Sequence, residues 1–425
     1  MKYAYCNATV LSGREDMAPV PGLTVLTDGD RIVSVTADPA PAGYEVIDLQ
    51  GKYLMPGLIN LHVHLPASGK PKDKPTDAKK LARIMRSTAL TRFILKKMCQ
   101  SYARMELLSG VTTIRTMGGL LTVDSQLRDE IAAGKILGPR ILASDMAVSV
   151  PGGHMAGSLA YEATSAQEAR QFVRQIAKTR PDVIKLMVTG GVLDAKVKGE
   201  PGELKMPADY VKAACEEAHA LGLKVAAHVE SPEGVRVALE NGVDTIEHGA
   251  EPDEEILRLF KERNAAHVAT LSPALPYAVF DRAVSHASEM EQYNGQIVFS
   301  GIIACARACL ENGIPVGLGT DTGCPYITHY DMWRELNYFR KYCGVTPAFA
   351  LYSATLGNAR IAGIDADTGS VEPGKCADLV ITEKNPLEDL TALRNISAVV
   401  VRGRFIDAPK NKKIPQAEQE LDKFV

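Results

Sequence analysis

The 425-residue sequence has no CxxC pair, no long apolar run and no large excess of either charge sign. Its eight cysteines (Cys6, Cys99, Cys215, Cys305, Cys309, Cys324, Cys343 and Cys376) are scattered, without the spacing of a zinc ribbon or a redox dithiol. Cys305 and Cys309 lie four apart in an apolar helical run and read as core thiols rather than half of a metal clasp. The opening MKYAYCNATV has no apolar leader core, so reduced thiols in the cytoplasm are expected. No stretch approaches the ~18–20 apolar residues of a membrane span, so no membrane association is expected. Lys+Arg 48 against Asp+Glu 51 leaves a net charge of −3. A nucleic-acid-binding surface normally shows as a basic excess, so none is expected here. The single tryptophan, Trp333, carries no functional message. What remains, 46% hydrophobic and 23% charged, is the composition of a core-forming globular protein of enzyme-like size. Length alone suggests two or three domains at about 150 residues each, unless an α/β barrel takes about 250 residues as one.

Both ends of the chain read as short β elements, at 3–11, 23–27, 31–36 and 44–49, and again near Leu379 and from Ser397. The DGD at Asp28–Asp30 is a turn between two of them. The expectation is one small β-sandwich domain built from residues 1–56 and 368–425, interrupted by a larger unit at 57–367. The tail from Lys410 is charged and reads as a surface segment. The middle alternates eight strand candidates (58–64, 111–117, 140–147, 183–189, 223–229, 244–248, 266–271 and 315–320) with helical patterns such as 166–179, 208–221, 232–241 and 253–263. That succession predicts a (β/α)8 TIM barrel, whose active site lies at the C-terminal ends of its strands. An open doubly wound sheet would carry a glycine-rich phosphate loop after its first strand, and LINLHVHLPASG offers none.

Polar residues recur where barrel strands end. His62 and His64, two apart, share a strand face. His228 ends strand five, His248 strand six, and Asp321 follows strand eight. Four imidazoles and a carboxylate on one rim are costly to desolvate unless they share a cation. A divalent ion such as zinc suits nitrogen and oxygen ligands at about 2.0–2.2 Å. Lys185 stands in the middle of strand four, VIKLMVTGG, which should be buried on both faces. A buried lysine paired with a carboxylate is the plain reading. An ammonium cannot bind metal, whereas a neutral amine that has taken up carbon dioxide as a carbamate can bridge two ions.

This set of residues resembles the amidohydrolase superfamily: the HxH pair, Lys185, His228, His248 and Asp321, in that order on successive strands. LMPGLINLHVH and GSVEPGKCADLVI look like the family's crossings between β domain and barrel. The resemblance implies a binuclear centre of two zinc-like ions. His62, His64 and Asp321 would hold the buried ion, His228 and His248 the outer one, and carboxylated Lys185 would bridge them. Asp321 would then be the general acid and base, although TDTG is also good helix-capping sequence.

VTTIRTMGG, VPGGHMAG and KLMVTGG look like the prolidase and Xaa-amino-acid dipeptidase branch, which includes imidazolonepropionase-like enzymes. By that resemblance His154 contacts the substrate carbonyl and acts as a catalytic residue; a loop residue without a role is the alternative. Arg115 matches an arginine of the branch, but Thr116 replaces the aspartate that follows it there. Glu230 departs from the branch's HAHG, which has a second histidine. Arg115 and Glu230 are taken as substrate-binding candidates. The expected activity is hydrolysis of an amide C–N bond in a dipeptide or N-acyl amino acid, with a cyclic amide as the alternative. A mononuclear deaminase of this barrel would carry a glutamate three residues after the strand-five histidine and no strand-four lysine. Here Ser231 and Lys185 oppose that. A catalytically dead scaffold should have lost ligands, and none is lost. A small-molecule substrate and a homo-oligomer are expected. The lysine-rich segment 72–80 reads as a lid, an oligomer contact or a solvated helix. The aromatics of 274–299 read more readily as packing than as a pocket.

Overall fold

The computed structural model describes residues 1–72 and 77–425. Part of the lysine-rich segment 72–80, residues 73–76, therefore lies outside the described residues. The middle of the chain forms a (β/α)8 barrel. Its parallel strands are Leu58–Val63, Val111–Thr116, a third in two pieces (Arg140–Leu142 and Ala147–Ser149), Val183–Met187, Lys224–Val229, Thr245–His248, Ala266–Ala269 and Val316–Leu318. A side strand, Ala160–Glu162, pairs outside the second piece of the third.

Two seams close the cylinder. Strand eight meets strand one where the Asp321 amide donates to the His62 carbonyl at 2.8 Å and the His64 amide to the Thr322 carbonyl at 3.2 Å. On the far side the Asp182 amide reaches the Ala143 carbonyl at 2.7 Å, and the Asp182 carboxylate accepts from the Ala143 amide at the same distance. The first seam is thus made by the very residues expected to hold metal.

Helices cover the barrel because their apolar stripes match its outer face. Ala169, Val173 and Ile176 of the helix Ala166–Ala177 and Val211, Ala214 and Ala218 of Ala208–Ala220 are buried. Helix starts follow local chemistry: Ser165, Ser231 and Asp253 accept backbone N–H groups at their N-caps.

The two chain ends share one eight-stranded sheet that curls onto itself. Tyr53–Pro56 pairs with Leu379–Thr382, which joins the termini. Arg31 bridges to Cys376, and the Ile32 amide donates to Lys375 at 2.8 Å, folding the two halves together. Tyr5, Val25, Leu54, Leu379 and Val400 fill the interior between them.

Two expectations change. The third strand breaks after Leu142 because Asp145 adopts a left-handed φ of 53° while its carbonyl accepts from the Gly119 amide. The tail is not a free surface segment. It forms the helix Pro415–Leu421, with Ala417 and Leu421 buried against the barrel. In the 274–299 stretch Phe280 and Phe299 pack in the core, and Tyr293 is exposed.

Candidate active site

The rim of the barrel gathers His62, His64, Lys185, His228, His248 and Asp321, every one of them buried. Alternation puts His62 and His64 on the inner face, and Lys185 likewise, since Ile184 and Leu186 on either side of it join the outer core. His248 needs a different device. It follows Glu247, which also faces inward, so a regular strand would point His248 away. A left-handed φ of 66° at His248 turns it back, bringing its ring 4.9 Å from His62 and 4.6 Å from His228. Asp321, with φ of 52°, makes a similar corner at the end of strand eight. Its Oδ1 lies 3.1 Å from His64 Nε2 and 3.5 Å from His62 Nε2.

Each imidazole is engaged through one nitrogen, which leaves the other for the centre. His62 Nδ1 is 2.8 Å from Glu247 Oε2, and His64 Nδ1 is 2.9 Å from the Gly118 carbonyl. His228 Nε2 is 3.2 Å from the Gly190 carbonyl, and His248 Nδ1 is 2.6 Å from Thr270 Oγ1. Such partners fix a ligand's tautomer and raise its basicity. Burial holds the His62 and His228 rings well below the ordinary imidazole range and brings His248 down to about 3, so all three are neutral and can ligate. Burial alone would raise the Asp321 carboxyl, but His62 and His64 hold it well below its usual range.

Lys185 is the anomaly. Its Nζ is buried with no hydrogen-bond partner among the described residues, and burial brings the amine down to about 8. The plain reading of a lysine paired to a carboxylate therefore fails. An orphaned amine among four imidazoles and a carboxylate fits a group that is completed by carbon dioxide and metal. The ligand atoms of His62, His248 and Asp321 lie within 4.8 Å of one another, as do those of His228, Glu230 and His248.

Arg115 does not reach the rim. It is buried, with Nε donating to the Leu61 carbonyl at 2.8 Å and a guanidinium nitrogen to Glu247 Oε1 at 2.7 Å. Its donors face protein, so its place is beneath the site, behind Glu247 and His62, and not against substrate. His154 stands at the mouth, its ring stacked 4.0 Å over His228, with Nδ1 2.5 Å from Asp194 Oδ2. Glu230 lies beside the outer half of the site, where burial followed by the charges of Asp321 and Asp194 raises its carboxyl to about 8. Sequence reasoning missed Glu247, Asp194 and Thr270. Glu247 did carry a signal, a carboxylate inside a buried strand, but its neighbour His248 drew the attention.

Residues 53–406 match the family model of the amidohydrolase family. The chain belongs to that family. Within it, the protein is similar to ochratoxinase of Aspergillus niger, 27% identical over 81% of this chain and 73% of that one. Among solved structures, a Bifidobacterium longum protein provisionally described as a prolidase is 37% identical, covering 99% of this chain and 98% of that chain with a TM-score of 0.88. A Xaa-Pro dipeptidase with methionine bound in its active site is 28% identical, covering 96% and 100%, with a TM-score of 0.84. The amidohydrolase protein is thus an enzyme, a hydrolase of C–N bonds acting on small molecules, built on a metal-binding barrel. No helix among the described residues is long and apolar enough to cross a membrane.

Proposed function

We propose that this amidohydrolase cleaves the amide bond of a dipeptide or an N-acyl amino acid with two divalent, zinc-like ions. His62, His64 and Asp321 would hold the inner ion, His228 and His248 the outer, and carboxylated Lys185 would bridge them. The observation that carries this reading is the Lys185 Nζ, buried within the ligand set and without a hydrogen-bond partner among the described residues. Bound metal would lower the pKa of a water towards 7 and polarise the scissile carbonyl.

The chain's own groups supply the rest. Asp321, held ionised by His62 and His64, takes a proton from the attacking water and returns it to the leaving nitrogen. His154, fixed by Asp194 through Nδ1, stands at the mouth, and its doubly protonated ring would offer the Nε2–H as a donor for the carbonyl oxygen. Arg115 and Glu247 hold His62 in place from below. The eight unpaired thiols suit a reducing cytoplasm, and we take the working form to be a homo-oligomer.

The test is a screen of zinc-loaded enzyme against dipeptides, N-acyl amino acids and cyclic amides. Release of amino acids from the first two groups is expected. Turnover confined to cyclic amides, or ammonia release from a protein holding one ion, would sink the reading.

A further inference from the structure

Glu230 is the residue that the site leaves unexplained. It stands two after His228, just past the end of the strand Lys224–Val229, at the outer half of the centre. Its carboxylate oxygen lies within 4.8 Å of ligand nitrogens on both His228 and His248. Two donors about 2.1 Å from one ion are at most ~4.2 Å apart. A contraction of about half an ångström therefore brings these three side chains around a single cation.

The carboxylate is also pre-positioned. Its Oε2 accepts the Val192 amide at 3.1 Å, and the Glu230 amide donates to Thr189 Oγ1 at 3.0 Å. Gly191 and Gly202 close over it. A Cβ at Gly191 would stand 3.4 Å from Oε2, and one at Gly202 would stand 2.3 Å from the Glu230 carbonyl. No basic side chain among the described residues forms an ion pair with it. A half-buried carboxylate crowded by backbone and left without a cation carries a desolvation cost. Two dications would bring four positive charges, against one negative charge each from Asp321 and carboxylated Lys185. A third carboxylate reduces that excess where His228 and His248 contribute none.

We propose that Glu230 is a ligand of the outer ion, so that His228, Glu230 and His248 grip it together. This rests on the two-ion reading above. A substrate clamp at Glu230 would lie in the same place but leave the metal indifferent to its removal, and that difference decides the test.

Metal content after dialysis and zinc affinity by chelator competition are measured for the full-length protein, Glu230→Gln and Glu230→Asp, with His228→Ala as the reference for loss of the outer ion. Wild type is expected to retain about two ions. Glu230→Gln should keep the inner ion and weaken the outer by at least tenfold, the smallest loss typical even of a residue that only supports a ligand. Glu230→Asp should recover part of that loss. Cobalt(II) loading provides a second readout, because losing a ligand changes the d–d spectrum even where both ions stay bound. Two ions at wild-type affinity with an unchanged cobalt spectrum in Glu230→Gln would overturn this proposal and leave the two-ion reading standing. A wild type that binds only one ion would overturn both.

Discussion

At the scale of the residue, the centre works by holding each imidazole through one nitrogen and offering the other. Glu247 illustrates this, because its carboxylate is shared by His62, Arg115 and the Thr245 hydroxyl at 2.7–2.8 Å. Removing its charge should cost His62 basicity and orientation. Glu247→Gln is expected to lose roughly 10–100-fold in metal affinity, measured by chelator competition. Asp321→Asn should differ, keeping metal yet losing turnover, and undiminished hydrolysis would remove Asp321 as the base. Lys185 has its own pH signature. Only the neutral amine reacts with carbon dioxide, and lowering it from 10.5 to about 8 raises the neutral fraction at pH 7 roughly 300-fold. A lysine whose folded pKa is depressed leaves the unfolded chain holding more protons between about 8 and 10.5. Stability of the metal-free, uncarboxylated protein should therefore rise with pH through that window. Reconstitution with zinc and bicarbonate should likewise speed up from pH 6 to 9. A flat profile would count against the carbamate. Lys185→Ala should lose metal and regain it with a short carboxylic acid.

At the scale of the element, most of the barrel and its ligands were legible because a polar side chain at the inner end of an apolar strand has no packing reason to be there. His62, His64, Lys185 and His228 announce themselves in this way. The β ends were legible from their turns and short alternating runs. What stayed hidden was set by distant neighbours. Periodicity cannot say that Glu247 and His248 both face inward, because the corner at φ of 66° depends on the chain beyond the strand. Nor does it show that the third strand opens at Ser144–Asp145, where the Gly118 amide takes the Ser144 hydroxyl and the Gly119 amide the Asp145 carbonyl. Asp124 belongs to that corner. Its carboxyl is buried under Gly119, where an added Cβ would sit 2.3 Å from Oδ2, and burial beside Asp145 raises it from 3.8 to about 7. A carboxyl raised in the fold binds its proton more tightly in the native state, so stability falls as pH rises from about 4 to 7. Asp124→Asn should raise the melting temperature at pH 8 and change it little at pH 4. Equal shifts at both values would refute the buried acid.

At the scale of the molecule, the chain's last residues brace the same rim that carries Asp321. Arg334, only 1% exposed, leaves the segment after strand eight and pairs with Asp331 at 3.1 Å. Its other nitrogens reach Glu418 at 3.1 Å and Asp422 at 2.7 Å, both in the tail. Arg394 pairs with the same two carboxylates at 2.6 and 2.8 Å, and the Trp333 ring lies against both guanidiniums. The Ile414 amide donates to the Tyr330 hydroxyl at 2.7 Å, tying the tail to the loop that follows Asp321. A surface reading of a charged tail misses this, because its charges are partners for a buried cation that only the fold supplies. Removing them leaves Arg334 with Asp331 alone in a dry site, and stranding part of a buried ion network costs on the order of 3 kcal/mol. Glu418→Ala with Asp422→Ala is therefore expected to lower unfolding free energy by about that amount in denaturant melts, while metal content stays at the wild-type level. Lys423→Ala removes a pair with Glu420 in which the lysine is half exposed, and such surface pairs contribute about 0–1 kcal/mol. If the double variant were no less stable than Lys423→Ala, the tail would be decoration on the barrel and not one of its braces.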